Sequence, residues 1–198
     1  KKTIKLKPDF DDAYFNMGNI LKDQDKLEEA IMIYKKVISL KPDYFKVYNN
    51  IGVTFHNQLK LDKAISSYNK ALSLNYISAD LYSNIATTLK FQGKLNESIE
   101  ASKKAISLKN DHFEAHQSLA FSLLNSGELE QGFDENEWRW QNPKQMFQKR
   151  HFKQKLWDGK ISLDNQTILL WCEQGVGDTI MWSSRLSLLT AKAQKCIL

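Results

Sequence analysis

A chain of 198 residues has room for one large domain, or for a repeat array joined to part of a second domain. With 42% apolar and 26% charged residues it has the balance of a packed globular chain, not of a disordered one. The net charge of +5 comes from lysines spread along the sequence rather than from an Arg/Lys cluster with aromatics between, which argues against a nucleic-acid surface. No apolar run approaches the ~20 residues of a bilayer-crossing helix, so no membrane partner is expected.

The opening KKTIKLKPDF (1–10) has no apolar leader and reads as the end of a helix from a preceding unit. Residues 11–44 form a first unit. Tyr14, Met17, Ile20 and Leu21 fall at helical spacing and predict one buried stripe. Gly18 inside that helix costs about 1 kcal/mol relative to alanine, which points to close approach by a neighbouring helix. A polar turn at 23–25 leads to a second helix with Leu27, Ala30, Ile31, Tyr34, Val37 and Ile38 inward, and Pro42 stops it.

Residues 45–78 repeat the pattern with Tyr48, Ile51, Gly52, Phe55, Ala64, Tyr68 and Ala71, and residues 79–112 with Tyr82, Ile85, Ala86, Leu89, Ser98, Ser102 and Ala105. Residues 113–142 form a divergent fourth unit, with His116, Leu119, Ala120 and Leu123, then Gly132 in the small-residue slot. Asn16, Asn50 and Asn84 keep a step of 34 residues, as do Tyr14, Tyr48 and Tyr82. A period of this length means stacked helical hairpins, each unable to bury its apolar face alone.

The aromatic, Leu and Gly positions of the first helix, with the Ala, aromatic, Ala and Pro of the second, resemble the tetratricopeptide repeat over roughly 1–141. That resemblance implies an all-α solenoid, a right-handed superhelix whose first helices line a concave groove that holds a peptide or partner segment. The groove candidates are Asp12, Phe15, Asn16, Asn19 and Lys22 in the first unit, and Asn49, Asn50, Val53, His56 and Asn57 in the second. The third unit adds Ser83, Asn84, Thr87 and Phe91, and the fourth Gln117, Ser118 and Phe121. A carboxamide donates and accepts together, so Asn16, Asn50 and Asn84 make a candidate ladder for an extended backbone, or else bond to the neighbouring repeat. The ladder resembles that of the O-GlcNAc transferase superhelix. The chaperone carboxylate clamp is not expected, because Phe15 and Asp80 stand where it needs cations. His112 and His116 lie four apart, but His116 fills an aromatic packing slot and no third ligand is near, so neither a metal nor a cofactor is expected.

Beyond Gly132, Trp138 and Trp140 are expected to seal the last repeat, and 143–165 reads as a linker containing Trp157 and Asp158. Gln166 to Cys172 is a short apolar run of buried-strand type, followed by EQGVGDT, helical periodicity from Thr179, and a second strand beginning at Lys195. Strand, glycine turn and helix predict the opening of a Rossmann-like unit in 166–198. Residues 128–182 also resemble the junction in bacterial proteins that join tetratricopeptide repeats to a heptosyltransferase-like module. That resemblance makes Asp178 a weak candidate base, with helix capping as its alternative role. Such an enzyme binds its donor mainly in a second domain, so no enzymatic activity is expected of the chain as it stands. Cys172 and Cys196 are the only cysteines and form no CxxC, which predicts a reducing, cytoplasmic setting. Both ends look cut, and 166–198 is expected either to pack on the last repeat or to self-associate.

Overall fold

The computed structural model describes residues 11–141, 162–169, 191 and 193–197. The chain divides into two units, Lys1–Arg139 and Trp140–Leu198. Within the first, the described residues form four helix pairs: α1 (Asp11–Asp23) with α2 (Leu27–Leu40), α3 (Phe45–Asn57) with α4 (Leu61–Ser73), α5 (Ala79–Phe91) with α6 (Leu95–Leu108), and α7 (Phe113–Ser126) with α8 (Leu129–Asn136). A 3₁₀ turn, Glu137–Gln141, follows α8.

Each pair is closed by the same device. Asp25, Leu59, Gly93 and Gly127 all lie in the left-handed region, with φ of 60°, 58°, 74° and 92°. The residue after each donates its N–H to the carbonyl five back: Lys26 to Leu21, Lys60 to Phe55, Lys94 to Leu89 and Glu128 to Leu123, at 2.9 to 3.0 Å. This is the Schellman arrangement, which satisfies carbonyls the helix end would otherwise orphan. The hairpin is thus fixed by backbone geometry at a 34-residue step, whatever side chain occupies the turn.

First helices touch one another in succession (α1 with α3, α3 with α5, α5 with α7), whereas the main contacts of second helices are with first helices. The first helices therefore stand closer together and form one wall of the stack. Tyr34 and Tyr68, together with Ala30 and Ala64, are fully buried between helices. A Cβ on Gly18 would overlap the Tyr34 ring and one on Gly52 would overlap Tyr68, so glycine in mid-helix makes room for the ring. The expected buried stripe of α1 fails at Ile20, which is 58% exposed. Its repeat equivalents Thr54, Thr88 and Ser122 are buried with their hydroxyls satisfied, Thr54 and Thr88 donating to the Asn50 and Asn84 carbonyls and Ser122 to Ser98.

At the C-terminal end of the array His116 stacks on Trp138, ring centroids 3.8 Å apart and 7° from parallel. Its Nε2–H donates to the Asn110 carbonyl at 2.9 Å and its Nδ1 faces the Glu135 carboxylate. His112 caps α7: its Nδ1 accepts from the Ala115 N–H at 3.3 Å, so its Nε2–H donates to Asp80 at 3.0 Å. The two histidines thus face different partners, and the described residues hold no group of three side chains suited to a metal ion.

In the second unit β1 (Thr167–Leu169) and β2 (Lys195–Ile197) pair in parallel, Thr167 opposite Lys195, Ile168 opposite Cys196 and Leu169 opposite Ile197. Asp178, the EQGVGDT loop, the helix expected from Thr179 and the linker residues Trp157 and Asp158 lie outside the described residues. Among the described residues no helix is long and apolar enough to cross a membrane.

Candidate functional site: the wall of first helices

Hydrogen bonds between repeats organise the amides of this wall. Asn50 Nδ2 donates to Asn19 Oδ1 at 2.7 Å, and Asn84 Nδ2 donates to Asn49 Oδ1 at 3.1 Å. A longer contact of 3.5 Å from Asn49 Nδ2 to Asn50 Oδ1 joins the two pairs. The Tyr34 hydroxyl, reaching across from α2, also donates to Asn19 Oδ1 at 2.8 Å, and burial pushes its pKa upward. The amides therefore form a polarised chain from Asn84 through Asn49 and Asn50 to Asn19. Among the described residues, Asn84 Oδ1 remains as an acceptor at one end and Asn19 Nδ2 as a donor at the other.

The fixed step of the sequence ladder is not the step of these bonds, which join residues 31 and 35 apart. Asn16 is exposed and stands outside the network. Phe15 is half-buried, its ring 5.3 Å from Tyr44 and 6.4 Å from Tyr34. The Tyr44 hydroxyl donates to Asp12 at 2.9 Å, and burial, aided by that carboxylate, raises its pKa to about 12.

Farther along the wall the chemistry changes. Thr87 and Ser118 share a hydrogen bond of 3.1 Å, and Ser83 and Ser118 are buried. Phe91 and Phe121 are 57% and 47% exposed, which makes them the apolar surface of this region. Gln117, half-buried, lies beside Ser118 on α7. The His56 ring meets Phe91 edge-on at 5.1 Å. Thr88 gives its hydroxyl proton to the Asn84 carbonyl at 2.8 Å, so at 2.9 Å it accepts from His56 Nδ1–H, leaving His56 Nε2 as the acceptor nitrogen. Burial and the nearby Lys90 charge lower the His56 pKa, which keeps the ring neutral.

Lys90 was not among the sequence candidates. Its ammonium lies 5.0 Å from the Phe121 centroid and 5.6 Å from that of Phe91, and burial lowers its pKa. One signal in the sequence marks it: Lys90 is the repeat equivalent of His56, itself a groove candidate.

This geometry defines a class, an array of helical hairpins whose first helices present a polar and aromatic wall. Residues 18–58 match the TPR repeat model, and residues 45–75 and 79–112 match tetratricopeptide repeat models, so this stretch of the array carries tetratricopeptide repeats. Solved structures agree on the fold. YrrB, a TPR protein with an unusual peptide-binding site, is similar with a TM-score of 0.62 at 21% identity, over 73% of this chain and 74% of that one. MamA is similar with a TM-score of 0.64 at 22% identity, over 75% and 87%. MamA from Desulfovibrio magneticus RS-1 is similar with a TM-score of 0.62 at 18% identity, over 68% and 76%. No curated protein gives a significant match.

Proposed function

We propose that the chain is a protein-interaction scaffold that holds an extended segment of a partner along the wall of first helices. The observation that carries this reading is the amide chain of Asn84, Asn49, Asn50 and Asn19. Its bonds between repeats fix the amides in place, and its ends leave one acceptor and one donor for a passing peptide backbone. Phe15, Phe91 and Phe121 supply apolar contact beside it, with Thr87 and Gln117 as further polar positions, and Asn16 adds an exposed amide. YrrB, similar in fold, is a TPR protein with a peptide-binding site, which supports peptide binding as the role of the array.

Selection of short random peptides on the intact chain tests the reading, followed by affinity measurement on Asn19→Ala and Asn84→Ala. Each lost hydrogen bond should weaken binding by about 0.5–1.5 kcal/mol. Selected peptides whose affinity is unchanged in both variants would remove the wall from the interaction. The parallel β1–β2 pair favours a second reading for the other unit, as the start of an α/β sheet in a glycosyltransferase-like module with Asp178 as its base. Asp178→Asn in the full-length protein, assayed for sugar transfer, tests it; undiminished transfer would remove Asp178.

A further inference from the structure

We propose that the segment held on this wall carries a side-chain carboxylate next to an apolar residue, the carboxylate seated on Lys90 and the apolar side chain on Phe91 and Phe121. This rests on the groove reading above and names the chemistry of its partner.

Two lysines at the first helices have carboxylates at hand, Lys22 at 2.6 Å from Asp23 and Lys41 at 3.8 Å from Asp11, whereas Lys46 on α3 is exposed and leaves its charge to solvent. Lys90 has none within ion-pair distance among the described residues, and its neighbours are the faces of Phe91 and Phe121. A half-buried ammonium held by ring faces alone lacks the anion that would best compensate its lost hydration. The downward shift of its pKa by burial, with no carboxylate opposing it, agrees with that arrangement. His56, the other titratable group at this place, is kept neutral and bonded to Thr88, so it does not supply the missing charge.

The two phenylalanines beside the cation are about half exposed, one on α5 and one on α7. An incoming acidic residue therefore meets the charge while its apolar neighbour covers ring surface, which excludes water and strengthens the pair. Lys90 is a single cation beside a neutral His56, not the set of cations that a clamp for a chain terminus needs, so the carboxylate proposed here is the side chain of an internal Asp or Glu.

The test uses the intact chain and a random-peptide library with blocked C-termini. The selected peptides should be enriched in Asp or Glu adjacent to Leu, Phe or another apolar residue. Replacing that acid by its amide should weaken binding about tenfold, as should Lys90→Gln. Lys90→Glu should shift the selection toward Lys and Arg, with helicity by circular dichroism confirming that each variant folds. Peptides that bind, respond to Asn19→Ala and Asn84→Ala, but show no acidic preference would overturn this inference and leave the groove reading intact. Binders found only with free C-termini would likewise overturn it. An empty selection, or binders indifferent to the asparagine and the lysine variants alike, would overturn both.

Discussion

In the first two repeats glycine sits inside the first helix, at Gly18 and Gly52, beneath the fully buried rings of Tyr34 and Tyr68. In the third and fourth it sits after the helix, at Gly93 and Gly127, where the backbone is left-handed. The vacated helix positions become Ala86 and Ala120, and the ring positions become Ser102 and Asn136. The early repeats conversely place Asp25 and Leu59 in the left-handed turn. Equivalent repeats thus preserve backbone path and helix spacing, while the residues that satisfy each constraint change in concert. What the late repeats lose in ring volume is partly replaced by hydroxyls: Ser98 donates to the Ala86 carbonyl and Ser122 donates to Ser98, both at 2.9 Å and both buried.

The largest test of this contrast is truncation at the ring slot. Tyr68→Ala should cost about 3–5 kcal/mol in urea unfolding, because it removes a buried aromatic ring and leaves a cavity. Ser102→Ala should cost less than about 1 kcal/mol, since its buried hydroxyl has no hydrogen-bond partner among the described residues. Equal losses at the two sites would mean that the ring slot does not distinguish early from late repeats. Next in size, Gly52→Ala should destabilise by about 1–3 kcal/mol through overlap with the Tyr68 ring. In a Tyr68→Ala background the same change should become neutral or favourable, because alanine is the better helix former. A penalty that persists there would show that the ring is not what excludes the methyl group.

The period, the paired helices and the inward tyrosines are legible in the sequence because each repeats in type and spacing, and Gly18 was readable as a close-approach site. The left-handed turns were less so, since glycine marks only two of the four and Leu59 carries no turn signal at all. The amide contacts escaped for a different reason. A fixed 34-residue step identifies equivalent positions, whereas contact between adjacent first helices depends on their stagger, and it joins Asn19 to Asn50 and Asn49 to Asn84. Ile20 departs from the stripe that its helical spacing fits, and spacing alone does not register that its repeat equivalents are the buried hydroxyls of Thr54, Thr88 and Ser122. Nor could spacing tell that His112 would cap α7 through one nitrogen and hold Asp80 through the other.

The turn positions give a smaller, two-signed test. Leu59→Gly should stabilise the chain by about 1 kcal/mol, because it relieves a left-handed conformation unfavourable to a side chain and removes a leucine that is 72% exposed. Gly93→Ala should do the reverse by a similar amount, although a Cβ there meets nothing within 4 Å. Chemical denaturation of both variants separates backbone strain from packing, since neither site is packed. If Gly93→Ala were silent, the shared left-handed turn would not be what closes each hairpin.

The smallest expected effect lies where the two halves meet, at His56. Its folded pKa lies below the ordinary 6.5, first because it is buried and second because Lys90 is close. The unfolded chain therefore binds the proton more readily, and the stability tied to a neutral His56 is present above that value and lost as the pH falls through and below it. Protonation would leave the bond to Thr88 possible, since Nδ1 already donates, but would set a second cation beside Lys90 in a partly desolvated place. Melting temperatures followed from neutral pH down to about pH 5 should fall less steeply for His56→Gln than for the parent chain, and Lys90→Gln should soften the same acid limb by a smaller amount. Identical acid limbs in the parent and His56→Gln would mean that the ring titrates as freely folded as unfolded, and that the junction between the amide-lined and aromatic stretches of the wall is open to water.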